Sequence, residues 1–235
     1  MSRVSTATSP VPRLLRPTAI GFALGSLAFA LGVPLSLDTA LNPAIAGWTF
    51  FSGSVLFTAG ATLQFRMSAA VLPDLEVAVE HRWARLARPR TTDWTASVIQ
   101  LVGTLEFNVT TWRAALDAAG TGSATAQPVW RPDAIGSVLF LVSSAIALAP
   151  EVRRRRHGNA RDRSWTIAAL NMVGSVFFGL SAVGAYVSPS TGDVLSMRWS
   201  NGGTLLGALC FLTGAMLLVP RRRDTTSSLS QALVG

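Results

Sequence analysis

Residues Trp165 to Val187 read WTIAALNMVGSVFFGLSAVGAYV, 23 residues without a single charged side chain. A helix of this length rises about 1.5 Å per residue, which is enough to cross the ~30 Å hydrocarbon core of a bilayer. Because backbone groups in lipid must form their hydrogen bonds within the segment, a helix is the economical conformation. The stretch therefore predicts a membrane-spanning helix.

The rest of the chain is also rich in apolar residues and poor in charged ones. Hydrophobic residues make up 49% of the 235 residues and charged residues only 14%, whereas a soluble domain carries about 25% charged residues. The charges also lie in short blocks between long apolar stretches. We therefore predict an all-α membrane protein with six transmembrane helices. The five further spans are Thr18 to Leu37, Ala44 to Phe65, Trp94 to Trp112, Ala134 to Val152 and Met197 to Val219.

The arginines indicate how these spans are oriented. All 20 basic residues are Arg, and only Arg113, Arg131 and Arg198 fall on the side opposite to the termini. Since basic residues mark the cytoplasmic side, we predict that the N and C termini are cytoplasmic. The same topology explains the net charge of +8, so we expect no nucleic-acid partner. It also explains the run from Arg153 to Arg156, for which contact with anionic lipids is the alternative.

Composition also suggests the kind of organism and the membrane in which the protein lies. The use of Arg without Lys, together with abundant Ala, suggests a GC-rich bacterial genome, and we expect a location in the inner (plasma) membrane. The first span leaves one alternative open. Basic residues, an apolar run and Ala28-Phe29-Ala30 resemble a signal peptide with its cleavage site, although the apolar run continues past Ala30. Cleavage would leave five spans in unchanged orientation.

A short motif occurs once in each predicted span: Gly, then Ser or Thr, two residues, and Phe. One copy per span indicates internal repetition. Gly and Phe four residues apart share a helix face, and small residues let helix backbones approach each other in lipid. We interpret the motif as a helix-packing element, with a substrate path lined by its glycines as the alternative. The motif glycines are Gly25, Gly53, Gly103, Gly136, Gly174 and, in a degenerate sixth copy with Phe211 one turn beyond it, Gly203.

The tryptophans give the repeat its period. Trp94 and Trp165 precede their motif glycine by nine residues in spans that run outward, whereas Trp48, Trp130 and Trp199 precede theirs by four to six in spans that run inward. The unit is therefore a two-helix hairpin present three times in parallel, which predicts a bundle with approximate threefold symmetry about the membrane normal. The predicted segments are a disordered N-terminus (1–17), hairpin 1 (18–72), a cytoplasmic amphipathic helix (73–90), hairpin 2 (91–156), hairpin 3 (157–220) and a cytoplasmic tail (221–235).

The last hairpin combines Asn171, Gly174-Ser175, Asn201 and Gly203-Thr204-Leu205, and the span before it begins with Trp130 to Ser137. These residues resemble the YrhK-like family of small bacterial membrane proteins. The resemblance is clearest over residues 130 to 220 and fainter over an earlier stretch, 51 to 64. It implies a membrane location and a two-helix hairpin unit, and it supplies no catalytic residue. The chain departs from the family by carrying three such hairpins.

Glu106 is the position most suggestive of chemistry. It lies twelve residues into its span, where a carboxylate costs at least about 2.5 kcal/mol to insert and should face the bundle interior or water. Asn171 matches Gln100, since each precedes its motif glycine by three residues, and Arg113 lies two turns beyond Glu106 on roughly the same face. We predict an intramembrane polar cluster of these four residues. Hydrogen bonds that fix packing are the favoured role; a proton or cation relay and an enzymatic acid are the alternatives.

Two features concern the cytoplasmic side. The segment that begins at Pro73 has an apolar stripe at helical spacing, which predicts a helix on the membrane surface, with a partner-binding helix as the alternative. His81 and His157 lie among arginines without metal-ligand spacing, and Cys210 is the single cysteine. We therefore expect no metal site and no cofactor.

Three functions remain open at this point. The dominance of packing motifs favours a non-enzymatic scaffold or interaction protein, whose partners would be lipids, a second copy of the chain or another membrane protein. The alternative is a small transporter or ion-conducting protein that uses Glu106, which requires a wet cavity that reaches this residue. A membrane-embedded enzyme would need a second convergent polar group, and the sequence offers no pair of nucleophile and base.

Overall fold

The computed structural model describes residues 11–70, 91–121, 127–157 and 162–219. Within these ranges the chain forms six α-helices and no extended strand, apart from an isolated bridge between Val187 and Val194. The prediction of an all-α fold is confirmed. The helices are α1 (Val11–Leu37), α2 (Pro43–Ala70), α3 (Thr92–Ala118), α4 (Gln127–Arg156), α5 (Asp162–Gly184) and α6 (Met197–Leu218).

The six helices form a closed ring. Each packs on the next in chain order, and α6 returns to pack on α1. Contacts are most extensive within the pairs α1–α2, α3–α4 and α5–α6. Hydrogen bonds between helices show that neighbours run in opposite directions, since Ser68 and Ser54 of α2 pair with Ser97 and Thr111 of α3 respectively. The odd-numbered helices therefore begin at the end of the ring where the even-numbered helices finish.

Phenylalanine fills the centre of the ring. Phe57, Phe140 and Phe211, from the three even-numbered helices, contact one another with ring centroids 5.6 to 5.8 Å apart. Aromatic pairs at this separation are favourable. Every helix contributes one ring to the buried cluster, whose aromatic members are Phe22, Phe57, Phe107, Phe140, Phe178 and Phe211.

Apolar and polar side chains are distributed as lipid requires. Large apolar side chains such as Ile20, Val138 and Met216 are more than half exposed, whereas the buried polar side chains of the described residues are all serine or threonine. Such an apolar surface is costly in water but not in lipid. Five of the six described helices are long and apolar enough to cross a membrane, as in a multi-pass membrane protein. They cover Arg13–Leu37, Pro43–Ala69, Trp130–Arg156, Arg163–Gly184 and Met197–Leu218.

Helix α3 differs from the other five. It is as long as α1, at 27 residues, but it carries Asp93, Glu106, Arg113 and Asp117. Together with uncharged polar residues such as Gln100 and Asn108, they make the helix too weakly apolar to qualify as a span by length and composition. The predicted span from Trp94 to Trp112 therefore forms a helix of the ring, but its apolar character is weaker than that of its neighbours.

The helices extend beyond the predicted spans. Helix α1 begins at Val11, so residues 11–17 are helical and do not belong to a disordered N-terminus. The predicted span stopped at Thr18 because of Arg13 and Arg16, yet both side chains are exposed, and a helix can continue past the hydrocarbon core into the headgroup region. Residues 1–10, 220–235 and the predicted amphipathic helix at 73–90 lie outside the described residues.

Candidate functional site

The motif glycines lie where neighbouring helix backbones approach closely. A β-carbon built on Gly25 would lie 2.8 Å from the carbonyl oxygen of Gly53, and one built on Gly53 would lie 3.0 Å from that of Gly25. Gly103 and Gly136 face each other in the same reciprocal way, at 3.2 and 3.1 Å. A methyl group has no room against these backbone atoms, so glycine is what lets α1 pack on α2 and α3 on α4 at this distance.

In the third hairpin the contact is one-sided: Gly207 faces the backbone of Gly174, whereas a β-carbon on Gly174 would meet the Phe211 ring at 3.0 Å. A β-carbon on Gly207 would lie 3.0 Å from the oxygen of Gly174, and Phe211 follows Gly207 by four residues as the motif requires. Gly203, assigned to the sixth copy from the sequence, lies one turn earlier and also packs closely, with 2.5 Å between its built β-carbon and the oxygen of Phe177. The sequence motif does not include Gly207, because the residue after it is alanine and the motif requires Ser or Thr.

Hydroxyl groups link one hairpin to the next. Ser54 Oγ lies 2.8 Å from Thr111 Oγ1 between α2 and α3, and Ser144 Oγ lies 2.8 Å from Ser175 Oγ between α4 and α5. In transmembrane bundles such bonds contribute about 0.6 kcal/mol each. The glycines thus set the distance within a hairpin, while these hydroxyls set the register between hairpins.

A cavity of about 370 Å³, here called the vestibule, lies inside the ring at the end where the odd-numbered helices begin. All six helices contribute to its lining, and Phe22, Phe57 and Phe211 of the aromatic core form its inner end. Its other lining residues are Leu15, Gln64, Met67, Ser68, Thr91, Asp93, Ala96, Gln100, Ala147, Ile167, Asn171, Gly214, Ala215 and Leu218.

Three side-chain amides line the vestibule, one from each hairpin: Gln64, Gln100 and Asn171. Each lies seven residues from a phenylalanine of its own helix that faces the ring centre, and two helical turns return a side chain to the same face. The hydrogen bonds that Ser144 and Ser175 donate to Asn171 end on its backbone oxygen. Within the described part of the chain, no hydrogen bond reaches the three amide groups. All three residues are half-buried and face the cavity, so their amide groups are accessible to water or to a ligand that enters the vestibule.

The axis of the ring is blocked beyond the vestibule. Phe57 lines both the vestibule and a void of about 20 Å³ on its far side. Four further phenylalanines surround this void together with Ser54 and Thr104, each of which is 2% exposed. Such a volume holds about one water molecule. Closely packed aromatic rings, most of them in edge-on or tilted contact, therefore separate the vestibule from the other half of the ring.

Comparison with protein-family models, with curated proteins and with solved structures yields no match to this chain. The properties of the site therefore have to be read from its own residues. Among the described residues, no three His, Cys, Asp or Glu side chains converge where they could hold a metal ion.

The structure separates the four members of the predicted polar cluster. Gln100 and Asn171 share the vestibule, as their matching positions suggested. Glu106 lines neither the vestibule nor the small void; its Cβ lies 3.3 Å from a β-carbon built on Gly136, at the contact between α3 and α4. Arg113 is exposed. Successive residues on a helix point about 100° apart, so Glu106 faces α4 while its neighbour Phe107 faces the core.

Sequence reasoning missed two members of the site, Gln64 and Asp93. Gln64 lies seven residues after Phe57, a spacing that could have placed it on the inward face of α2. Asp93 lies in the first turn of α3, and no periodicity marks it as part of a cavity. Both face the vestibule only because α2 and α3 pack with Ser68 beside Ser97.

Proposed function

We propose that this chain is a non-enzymatic membrane protein with six spanning helices that acts by binding and does not pass solute along its axis. The observation that carries the proposal is the aromatic core. Phe140 is 2% exposed, and its ring centroid lies 5.2 to 5.8 Å from those of Phe57, Phe107 and Phe211. A solute could pass only if several rings moved at once, and each aromatic pair contributes about 0.5–1.5 kcal/mol beyond its buried area.

Helix α3 counts as the sixth span in this proposal. It packs between α2 and α4, both of which are long and apolar enough to cross the bilayer. Its polar side chains are compatible with this position because intramembrane polar groups usually face the interior of a bundle. Gln100 does so in the vestibule, and Thr104 and Thr111 are buried.

The orientation, the membrane and the repeat belong to the same proposal. The arginine distribution supports cytoplasmic termini, so the vestibule would open toward the cytoplasmic side of a bacterial plasma membrane. Three observations support approximate threefold symmetry: the paired hairpins, the close glycine contacts within each hairpin and the equal spacing of three core phenylalanines. Membership in the YrhK-like family stays a prediction based on residues of the last three spans.

The partners we propose are the bilayer, anionic lipid headgroups near the end of α4, and a second copy of the chain or another membrane protein. Arg153 to Arg156 are exposed at this helix end. Two of the four already contact the protein, since Arg154 pairs with Glu151 at 2.7 Å and the Arg155 guanidinium lies 4.2 Å from the centre of the Trp165 ring. We therefore expect lipid contact to be weak and to depend on salt.

Transport through Glu106 remains the alternative. It requires a water-filled route to this carboxylate, and Glu106 lies on the contact with Gly136, apart from the vestibule and the small void. No feature of its surroundings favours a relay over packing.

The experiment that tests the proposal compares two positions one helical turn apart. In a Cys210→Ala background, Gln100→Cys introduces a thiol in the vestibule, and Thr104→Cys introduces one at the void behind the aromatic rings. A membrane-impermeant thiol reagent should label position 100, from the cytoplasmic side alone, and should not label position 104. Labelling of both positions, or labelling of position 100 from the outer side, would contradict the closed axis.

A further inference from the structure

The wall of the vestibule is divided into a polar and an apolar half. Helices α2 and α3, which are neighbours in the ring, provide Gln64, Ser68, Thr91, Asp93 and Gln100. These side chains supply hydrogen-bond donors and acceptors along one side of the cavity. Asn171 of α5 is the one amide that lies away from this polar wall.

The apolar half comes from α6 and α1, which are also neighbours. Leu15, Phe22, Phe211, Ala215 and Leu218 line this side. Phe22 occupies in α1 the position that Gln100 has in α3, three residues before the motif glycine. The threefold pattern is thus broken in a way that makes the cavity amphipathic, since Phe22 packs on Phe57 with ring centroids 4.8 Å apart where α3 has an amide.

We propose that the vestibule binds a small uncharged molecule whose hydrogen-bonding head, an amide or a hydroxyl, faces α2 and α3 and whose apolar body lies against α6 and α1. The volume of about 370 Å³ is at the low end for pockets that bind small molecules. The head satisfies amide groups that have no hydrogen-bond partner among the described residues. The body meets the aromatic rings at the inner end.

The charges of the lining favour a neutral head. Asp93 is the one charged side chain among the described residues that line the vestibule, and it is exposed in the first turn of α3. None of the described lining residues is basic, so an anion would meet only this carboxylate among them, and a buried unpaired charge is costly. A cation would gain little, because an exposed ion pair is screened by water.

This inference rests on the proposed function, since it assumes a vestibule that is wet and closed at its inner end. The proposed function and the binding of a ligand in the vestibule can fail separately. Labelling of Thr104→Cys would contradict the closed axis, whereas the binding experiment below measures occupancy of the vestibule directly.

The test uses the full chain in nanodiscs and three probes of one shape: benzamide, benzoate and toluene. Ligand-observed NMR should give saturable benzamide binding with a dissociation constant on the order of 1 mM, as expected for so few atoms. Benzoate and toluene should bind at least about fivefold more weakly, because one buries a charge and the other leaves the amides unpaired.

Two variants locate the binding. Gln100→Leu should weaken benzamide about fivefold, the effect of losing one hydrogen bond. Ala147→Phe should abolish binding by filling the cavity while it leaves the polar wall intact. The matched controls are Asn201→Leu, a substitution outside the vestibule, and Ala149→Phe, which places the same bulk on the exposed face of α4. Both should bind benzamide like the parent protein.

The outcomes are unambiguous. Saturable binding that is lost in Ala147→Phe and kept in Ala149→Phe establishes the site, and the loss in Gln100→Leu establishes recognition of the head. The proposal is overturned if benzamide does not saturate, if it binds no better than toluene, or if Ala147→Phe binds it like the parent. If Gln100→Leu fails to fold, the probe comparison on the parent protein and the Ala147→Phe variant still decide.

Discussion

Two adjacent glycines of α6, Gly202 and Gly203, should respond in opposite ways to alanine. A β-carbon on Gly203 would lie 2.5 Å from the oxygen of Phe177 and 2.7 Å from the nitrogen of Ser181, which are backbone atoms of α5. A β-carbon on Gly202 would have nothing within 4 Å. The two positions share a helix, a depth and the same change in helix propensity, so a difference in stability between the variants reports the helix contact alone.

The magnitude follows from the geometry. A carbon–oxygen contact relaxes near 3.3 Å, so α6 would have to move away by about 0.8 Å, and overpacking of this kind costs about 1–3 kcal/mol. The same movement would stretch two 2.7 Å hydrogen bonds of Ser181, to Thr204 Oγ1 and to the Ser200 oxygen, each contributing about 0.6 kcal/mol. Alanine has a higher helix propensity than glycine, which offsets about 0.5–1 kcal/mol of this loss. We expect Gly203→Ala to destabilise the protein by about 2.5 kcal/mol, and Gly202→Ala to stabilise it by the propensity alone.

The single cysteine provides the assay. Cys210 lies at the contact between α5 and α6, where its Cβ is 3.2 Å from a β-carbon built on Gly174, so a thiol-reactive fluorophore reports separation of these helices during heating. For a chain of this length 1 kcal/mol shifts the melting temperature by about 2–4 °C. Gly203→Ala should therefore melt about 5–10 °C below the parent, and Gly202→Ala slightly above it. Equal melting temperatures for the two variants would refute the reasoning.

Two further predictions concern polar side chains in the ring. Glu106→Gln should leave the melting temperature unchanged or raise it. Gln keeps the side-chain shape that packs across Gly136 and removes a carboxylate that is costly to insert into the bilayer. A melting temperature lowered by several degrees would mean that the carboxyl group itself holds α3 to α4. Ser54→Ala and Thr111→Val, measured singly and together, should show a coupling free energy of unfolding of about 0.6 kcal/mol, because their hydroxyl groups are in contact. The control Ser52→Ala, on the exposed face of α2, should leave stability unchanged. If the two effects simply add, this hydrogen bond does not join the hairpins.

The positions of the helices could be predicted from the sequence because lipid acts on each segment separately. A stretch such as Trp165 to Val187 must satisfy its own backbone in the bilayer, whatever its neighbours do. The boundaries were less accurate, as the start of α1 at Val11 shows, because a helix does not have to end where the hydrocarbon core ends. Helix α3 was also predicted, although its polar side chains make it less apolar than its neighbours in the ring.

Comparison of matching positions in the repeated segments predicted part of the vestibule. Gln100 and Asn171 precede their motif glycines by the same number of residues, and the structure brings both to one cavity. The motif did not find Gly207, because it is defined by residue type and alanine follows Gly207 where the motif has Ser or Thr. Matching positions also could not separate Glu106 from the cluster, since the direction of a side chain depends on which face of α3 the ring turns inward.

The sequence by itself determined that this chain is helical, apolar on its lipid-facing side and built from glycine-rich spans, because these are properties of single helices in a lipid solvent. Only the tertiary structure decided that six phenylalanines meet on the axis, that Gln64 and Asp93 join the amides, and that Glu106 lies apart. Each of these depends on the rotation and register of one helix against the next. Reciprocal glycine contacts and hydroxyl pairs between helices set that register, and they become visible only when two helices are seen together.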